Sequence, residues 1–331
     1  MMDGRRFEAE IREQPAVLVR LARSRAAHEL DAAIGTREPV FVGSGSSFFV
    51  AQLAMLAWRR SGRRAEALAA SEARFQAGAL RGCCAVALSQ SGQSADVLDA
   101  LEALAPARTI ALTNDAASPL AALADVTIDV HAGRETAVPA SKSVTATAAL
   151  VLSAAERNAG AGAAAGALER SVEEIATWLE ADALGVMNRA AELLEPARSI
   201  VVMGAGYGVP VASEIALKIK EASYRHAEGF GAGEFRHGST AILDAERGMF
   251  GIVDGNSQAA VGAVLRVARE AQALVAVLGD ACGDLPAFGP PARGPFAPLA
   301  WIVAGQLLAL ALARRAGIDS DAPRGLQKFL A

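Results

Sequence analysis

The chain has 331 residues, of which 52% are hydrophobic, 21% charged and 5% aromatic, with 31 Gly and 13 Pro. That length fits two domains of ordinary size, and the composition excludes a disordered, collagen-like or disulfide-scaffold protein. Lys plus Arg number 32 against 36 Asp plus Glu, so the net charge of −4 offers no footprint for nucleic acid or an anionic membrane, and anionic ligands must be held by local devices.

The first ten residues carry Asp3, Arg5, Arg6, Glu8 and Glu10, which leaves no room for the apolar core of a secretory signal. Further on, short apolar runs alternate with helical patterns, predicting an α/β fold of mainly parallel sheets flanked by helices on both faces. Strands are expected over 40–42, 85–88, 110–113, 126–130, 200–203, 249–253 and 274–278, most of them continuous apolar runs of the kind buried on two faces. Cys83, Cys84 and Cys282 form no CxxC pair and share no zinc-like spacing with His, which predicts reduced thiols, a cytoplasmic protein and no structural metal. The small-residue stretch 159–166 reads as a hinge or a frayed helix end and sets the expected division: 1–160 as leader and first domain, 161–331 as second domain and tail. Residues 297–313 are apolar apart from Gln306 and precede Arg314 and Arg315; at the short limit for a membrane span, they are expected to form a buried helix covering a sheet.

An internal repeat relates the two halves. Val40-Phe41-Val42-Gly43-Ser44-Gly45 overlays Val201-Val202-Met203-Gly204-Ala205-Gly206 at an offset of 161, and Val50, Ala51 and Leu56 then fall on Val211, Ala212 and Leu217. A strand, a glycine turn and a helix come into register together, which predicts two copies of one α/β unit. Ala57 falls on Lys218, so the second copy carries added polar residues.

Ser44, Gly45, Ser46 and Ser47 follow the first predicted strand and open a helix, where backbone N–H groups and hydroxyls can converge on an anion; turn and N-cap duty alone would call for the same residues. Ser89-Gln90-Ser91-Gly92-Gln93-Ser94 repeats the arrangement before a helix facing inward through Val97, Leu98, Leu101 and Leu104. Two hydroxyl-rich strand-to-helix loops on one carboxyl edge suit a phosphorylated small ligand. A dinucleotide is the weaker reading, because neither Gly43-x-Gly45-x-x-Phe48 nor Gly204-x-Gly206-x-Gly208 keeps the G-x-G-x-x-G spacing. In the second half Lys218, Lys220, Glu221, Tyr224, Arg225, His226, Glu228, Glu234, Arg236 and His237 cluster. Lys218 and Glu221 share a helix face. A solvated face with an ordinary Glu214–Lys218 pair would account for them, but Gly229, Gly231, Gly233 and Gly238 behind the helix suit a ligand-gripping loop.

Together with Gln14-Pro15, Leu88-Ser89-Gln90-Ser91-Gly92, Lys218-Ile219-Lys220-Glu221, His226-Ala227-Glu228, Gly233-Glu234, His237-Gly238 and Asp321-Ala322-Pro323-Arg324 with Lys328, the chain resembles the isomerase half of glucosamine-6-phosphate synthase. It is similar as well to relatives built from two sugar isomerase (SIS) domains, the glutaminase-free glucosamine-6-phosphate deaminases and phosphosugar isomerases. The resemblance runs along nearly the whole chain. It implies that Ser46, Ser89, Gln90, Ser91 and Ser94 grip a sugar phosphate and that Val138, Ser141 and Lys142 line the sugar. By the same resemblance Glu221 shuttles a proton between C1 and C2 beside the cation Lys218, His237 assists ring opening from the neighbouring subunit, and Lys328 forms a Schiff base with the open ketose. No cofactor is implied, and at least a homodimer is.

The residue types suit that chemistry. One carboxylate fixed on a helix can reach both of two adjacent carbons, and an imidazole can move protons at a ring oxygen near neutral pH. The chain departs from the synthase in lacking a glutaminase segment ahead of its first predicted strand, so ammonia is not expected from glutamine by that route. Its first loop also reads Ser44-Gly45-Ser46-Ser47 where the family has Cys-Gly-Thr-Ser. The expected activity is conversion of glucosamine 6-phosphate to fructose 6-phosphate and ammonia; the alternatives are an aldose–ketose or transaminase-like reaction on another phosphosugar, or a phosphosugar sensor without catalysis.

Overall fold

The computed structural model describes residues 4–158, 164–290 and 292–328. Its elements in chain order begin with helices α1 (Arg5–Arg12), α2 (Gln14–Arg23) and α3 (Ala26–Ile34). The first α/β run follows as β1 (Pro39–Gly43), α4 (Ser46–Arg60), β2 (Glu66–Ala69), α5 (Ala73–Leu80), β3 (Cys84–Leu88), α6 (Ala95–Leu104), β4 (Arg108–Thr113), α7 (Pro119–Leu123) and β5 (Val126–Asp129). Three helices come next, α8 (Lys142–Asn158), α9 (Ala164–Ala181) and α10 (Ala183–Leu194). The second run is β6 (Ser199–Gly204), α11 (Gly208–Ser223), β7 (His226–Gly231), α12 (Ala232–Phe235), β8 (Arg247–Val253), α13 (Gln258–Glu270), β9 (Leu274–Gly279), β10 (Ala287–Phe288) and α14 (Ala297–Arg315).

Two compact units emerge. The N-terminal unit comprises Glu13–Glu135, Lys142–Arg170 and Gln327–Ala331; the C-terminal unit comprises Met1–Arg12, Thr136–Ser141 and Ser171–Leu326. Of the stretch expected to be a hinge or frayed helix end, residues 159–163 lie outside the described residues and Ala164 opens α9.

The N-terminal unit holds a five-stranded parallel sheet in the order β2-β1-β3-β4-β5. β1 and β3 are buried at every position, as strands covered on both faces must be. Val40, Val42, Ala85 and Ala87 meet Val97, Ala100 and Leu101 of α6 on one face. Phe41 points the other way and packs edge-on against Trp58 of α4, ring centroids 5.0 Å apart. Gln14, fully buried at the start of α2, accepts a hydrogen bond from the hydroxyl of Thr145 on α8.

The C-terminal unit repeats the same topology in the order β7-β6-β8-β9-β10, again all parallel. β6 stands for β1 and α11 for α4, the elements that the 161-residue offset aligns. At the strand ends a Cβ on Gly43 would lie 2.7 Å from the carbonyl carbon of Ser47, and one on Gly204 would lie 2.2 Å from the oxygen of Gly208. Each turn therefore admits only glycine, because the following helix starts against the strand. α14 packs on α10 and α11, and its 94% burial matches the core-helix reading of this apolar segment.

Three strands were not expected from the sequence: β2, β7 and β10, each lying at or next to an edge position with little burial. β7 corrects the reading of a glycine-rich gripping loop, since Gly229 and Gly231 belong to the strand. A Cβ at Gly229 would come within 2.4 Å of the Ser213 nitrogen, so glycine here lets α11 press against the sheet.

Candidate active site

In the N-terminal unit the strand order reverses direction between β1 and β3, and at such a switch point the loops after the two strands diverge to open a crevice. Both hydroxyl-rich loops follow these two strands. Ser44 and Gly45 lead into α4, whose first residues are Ser46 and Ser47; Ser89, Gln90 and Ser91 lead to Ser94, the N-cap of α6. The positive ends of two helices thus accompany the loops without any Arg or Lys.

Internal bonds shape the second loop. The Gly92 N–H donates to both the carbonyl and the Oγ of Ser89, each at 3.1 Å, and the Gln93 N–H donates to Ser91 Oγ at 3.2 Å. Oxygens that accept from the backbone keep their hydroxyl protons for donation. The Oγ of Ser44 is sealed from solvent with no hydrogen-bond partner among the described residues, which marks a polar atom ready for a ligand or water.

Asn114, which follows β4, was missed in the sequence and ties this edge together. Its N–H donates to the Gln90 carbonyl at 3.0 Å, its amide donates to Gly133 O at 2.6 Å, and its Oδ1 accepts from the Ala132 N–H at 3.1 Å. The segment so anchored leads to Glu135, whose side chain is fully buried. Glu135 accepts from the Ser143 N–H at 3.1 Å, the Ser143 hydroxyl at 2.7 Å and Lys328 Nζ at 2.9 Å. Burial pushes this carboxyl up, but the Lys328 charge and the Ser143 donors outweigh it and hold it below the usual carboxylate range. Lys142, expected to line the sugar, pairs with Glu13 and keeps 4% of its side chain exposed, because a buried cation takes a carboxylate partner.

A cavity of about 690 Å³ in the same unit lies at the opposite, amino edge of the sheet, lined by Pro39, Arg63, Glu66, Arg81 and Cys83 among others. It is remote from the hydroxyl-rich loops. Burial pushes the Cys83 thiol up to about 11, with Cys84 adding to the effect. The three cysteines are free, and among the described residues no group of three or more His, Cys, Asp or Glu is arranged to hold a metal ion.

In the C-terminal unit α11 carries Glu214, Lys218 and Glu221 at successive turns. Lys218 is 1% exposed; its Nζ pairs with Glu221 and lies 3.7 Å from Glu214 Oε1. Glu221 keeps 21% of its side chain exposed, so this carboxylate of the buried ladder reaches the surface while Glu214 does not. α11 ends at Tyr224, which adopts a left-handed conformation (φ 57°). Tyr224 Oη accepts from the Arg324 N–H at 2.6 Å, and the Arg324 guanidinium stacks on its ring at 4.4 Å. His237 is exposed on the turn after α12. Val138 is half-buried, whereas Ser141 is fully buried and its carbonyl accepts from Gln306 of α14 at 3.2 Å.

Known proteins share the family and the fold. A family model described as the SIS domain matches residues 37–157 and 193–283. The glutamine–fructose-6-phosphate aminotransferase [isomerizing] of Zymomonas mobilis is 31% identical over 97% of this chain and 58% of its own length. The chain spans about half to three-fifths of the length of such relatives. Among solved structures, glucosamine-6-phosphate deaminase from Thermotoga maritima is 25% identical, with a TM-score of 0.80 over 98% of this chain and 99% of that one. The C-terminal domain of glucosamine-fructose-6-phosphate aminotransferase from Francisella tularensis shares the fold at 23% identity, with a TM-score of 0.83 over 96% and 98% of the two chains.

Proposed function

The chain belongs to the SIS domain family, and from that premise we propose that it is a glucosamine-6-phosphate deaminase/isomerase, converting glucosamine 6-phosphate and water to fructose 6-phosphate and ammonia. One observation carries the reading. In α4 the positions that the repeat assigns to Glu214, Lys218 and Glu221 are held by Leu53, Ala57 and Arg60. Leu53 and Ala57 are ordinary core residues, 1% and 2% exposed. Exchanging them for a buried carboxylate and a buried ammonium incurs desolvation of several kcal/mol per ion, roughly, that packing does not require. A copy that departs so far from its twin at one helix face does so for chemistry.

In this proposal the hydroxyls and amides of Ser44, Gly45, Ser46, Ser47, Ser89, Gln90, Ser91 and Ser94 hold the phosphate ester, while Val138 lines the sugar. His237 of the partner subunit moves a proton from the anomeric hydroxyl to the ring oxygen, and the pyranose opens. Glu221 then takes the C2 proton and returns it to C1, which turns the amino aldose into a C2 imine of the ketose. Lys218 pairs with Glu221 and fixes it in one rotamer. Lys328 exchanges with ammonia at C2 to form a second imine, and water releases fructose 6-phosphate. Binding energy from the phosphate, remote from C1 and C2, holds the open chain in place for these transfers. The free thiols and the exposed His237 are in keeping with a cytoplasmic homodimer.

A simple aldose–ketose isomerisation of another phosphosugar is favoured by one observation, the Ser44-Gly45-Ser46-Ser47 loop that departs from the family pattern. Ammonia release and ketose formation assayed side by side over a small phosphosugar panel separate the two. The proposal expects ammonia and fructose 6-phosphate in equal amounts from glucosamine 6-phosphate. Isomerisation of other sugars with no ammonia favours the second reading, and tight binding without any turnover marks a sensor and overturns both.

A further inference from the structure

We propose that Glu135 is a positioning residue for the imine chemistry of Lys328, docking its Nζ against the carboxyl edge of the N-terminal sheet and facing the positive charge that Nζ carries before and after the imine forms. This deepens the reading above and rests on Lys328 forming the imine. The two lie 2.9 Å apart, Lys328 with 15% of its side chain exposed and Glu135 with none. Glu135 cannot swing away with the lysine, since its carboxylate is pinned from two sides by the N–H and hydroxyl of Ser143 in the first turn of α8. That helix start also favours a carboxylate electrostatically. Two further charges on the segments meeting here are Lys142, which pairs with Glu13, and the exposed Arg134.

The step balances around a fixed anion. The ammonium of Lys328 and the C2 carbonyl of open-chain fructose 6-phosphate combine to a protonated imine and one water: the C2–Nζ bond forms, and the carbonyl oxygen leaves with two nitrogen protons. Nζ first passes one proton to the carbonyl oxygen, which frees the lone pair that attacks C2, and it is positive again in the iminium once water has left. A buried carboxylate that stabilises the ammonium therefore stabilises the iminium as well, and its rigid hold gives a flexible tail lysine one place to react.

The test traps the imine with borohydride, which reduces C=N to a stable secondary amine detected by the mass of the Lys328 peptide, with fructose 6-phosphate as the sugar. The wild-type chain is expected to be labelled at Lys328, and Glu135→Gln to lower the trapping rate at saturating sugar by about tenfold or more while leaving half-saturation unchanged. Glu135→Asp, which keeps the charge, should recover part of the rate, an outcome that a purely structural role would not give. Ser143→Ala supplies a second variant should Glu135→Gln fold poorly, and it is expected to slow trapping in the same sense. Labelling of wild type but an undiminished rate in Glu135→Gln and Ser143→Ala overturns this inference alone. No label at Lys328 in wild type overturns the Lys328 reading beneath it.

Discussion

Lys218 is the residue on which the physical argument turns, because its ammonium is nearly sealed from water and has carboxylates one turn before and one turn after it. Removing one member of such a set leaves a buried charge unbalanced, whereas replacing both by apolar groups does not. Lys218→Ala is therefore expected to lower stability by about 3–5 kcal/mol in urea denaturation. The double variant Glu214→Leu/Lys218→Ala, which copies Leu53 and Ala57, should regain most of that loss without activity. A single variant as stable as the parent would show that the ladder is not energetically coupled. Lys218 and Glu221 were legible in the sequence because a three-residue spacing places two charges on one helix face. Glu135 was not, since its partners come from the start of α8 and from the chain end, and one acid among small residues carries no spacing to read. The partner of Lys142 was equally hidden: its ammonium answers to Glu13, 129 positions earlier.

Among the elements, the strands with flanking neighbours announced themselves as apolar runs, while β2, β7 and β10 did not. An edge strand meets the core with one side and the solvent with the other, and β7 further gives up side chains so that α11 can approach. The ends of the chain show a different device. Asp321 accepts from the Phe7 and Arg6 N–H groups at 2.7 and 2.9 Å, capping α1 from the opposite end of the sequence. Glu8 of α1 then pairs with Arg314 of α14 at 2.8 Å and with Arg12 at 2.9 Å. Partial burial pushes the Glu8 carboxyl up, but the hydrogen bonds and charges of Arg314 and Arg12 prevail and hold it below the usual range. A folded-state value below the unfolded one gives stability that is present above the ordinary carboxylate range and is lost as pH falls through the folded value. The wild-type chain should thus lose stability more steeply than Glu8→Gln between about pH 5 and pH 3 in thermal melts. Parallel curves would show that the pair contributes nothing.

At the scale of the whole molecule, one α/β plan is used twice with different ends in view: the first copy supplies neutral donors at its switch point, the second a charged ladder on the equivalent helix. The repeat was readable because strand, turn and helix matched at one offset, and the shared strand order is its structural expression. The proposed homodimer, with His237 lent by the partner, makes a quantitative prediction. Mixing inactive Glu221→Gln and His237→Ala chains under conditions that exchange subunits should restore about a quarter of wild-type activity, since half the dimers would hold one intact site. No recovery despite proven exchange would place His237 in its own subunit's site or outside catalysis. The most direct test of the account follows the proton itself, by incubating the protein in ordinary water with glucosamine 6-phosphate deuterated at C2 and reading deuterium at C1 of the product by NMR. The account predicts deuterated fructose 6-phosphate with ammonia from wild type, and from Glu221→Gln retained sugar-phosphate binding with no turnover. Undiminished ammonia release from Glu221→Gln would contradict it.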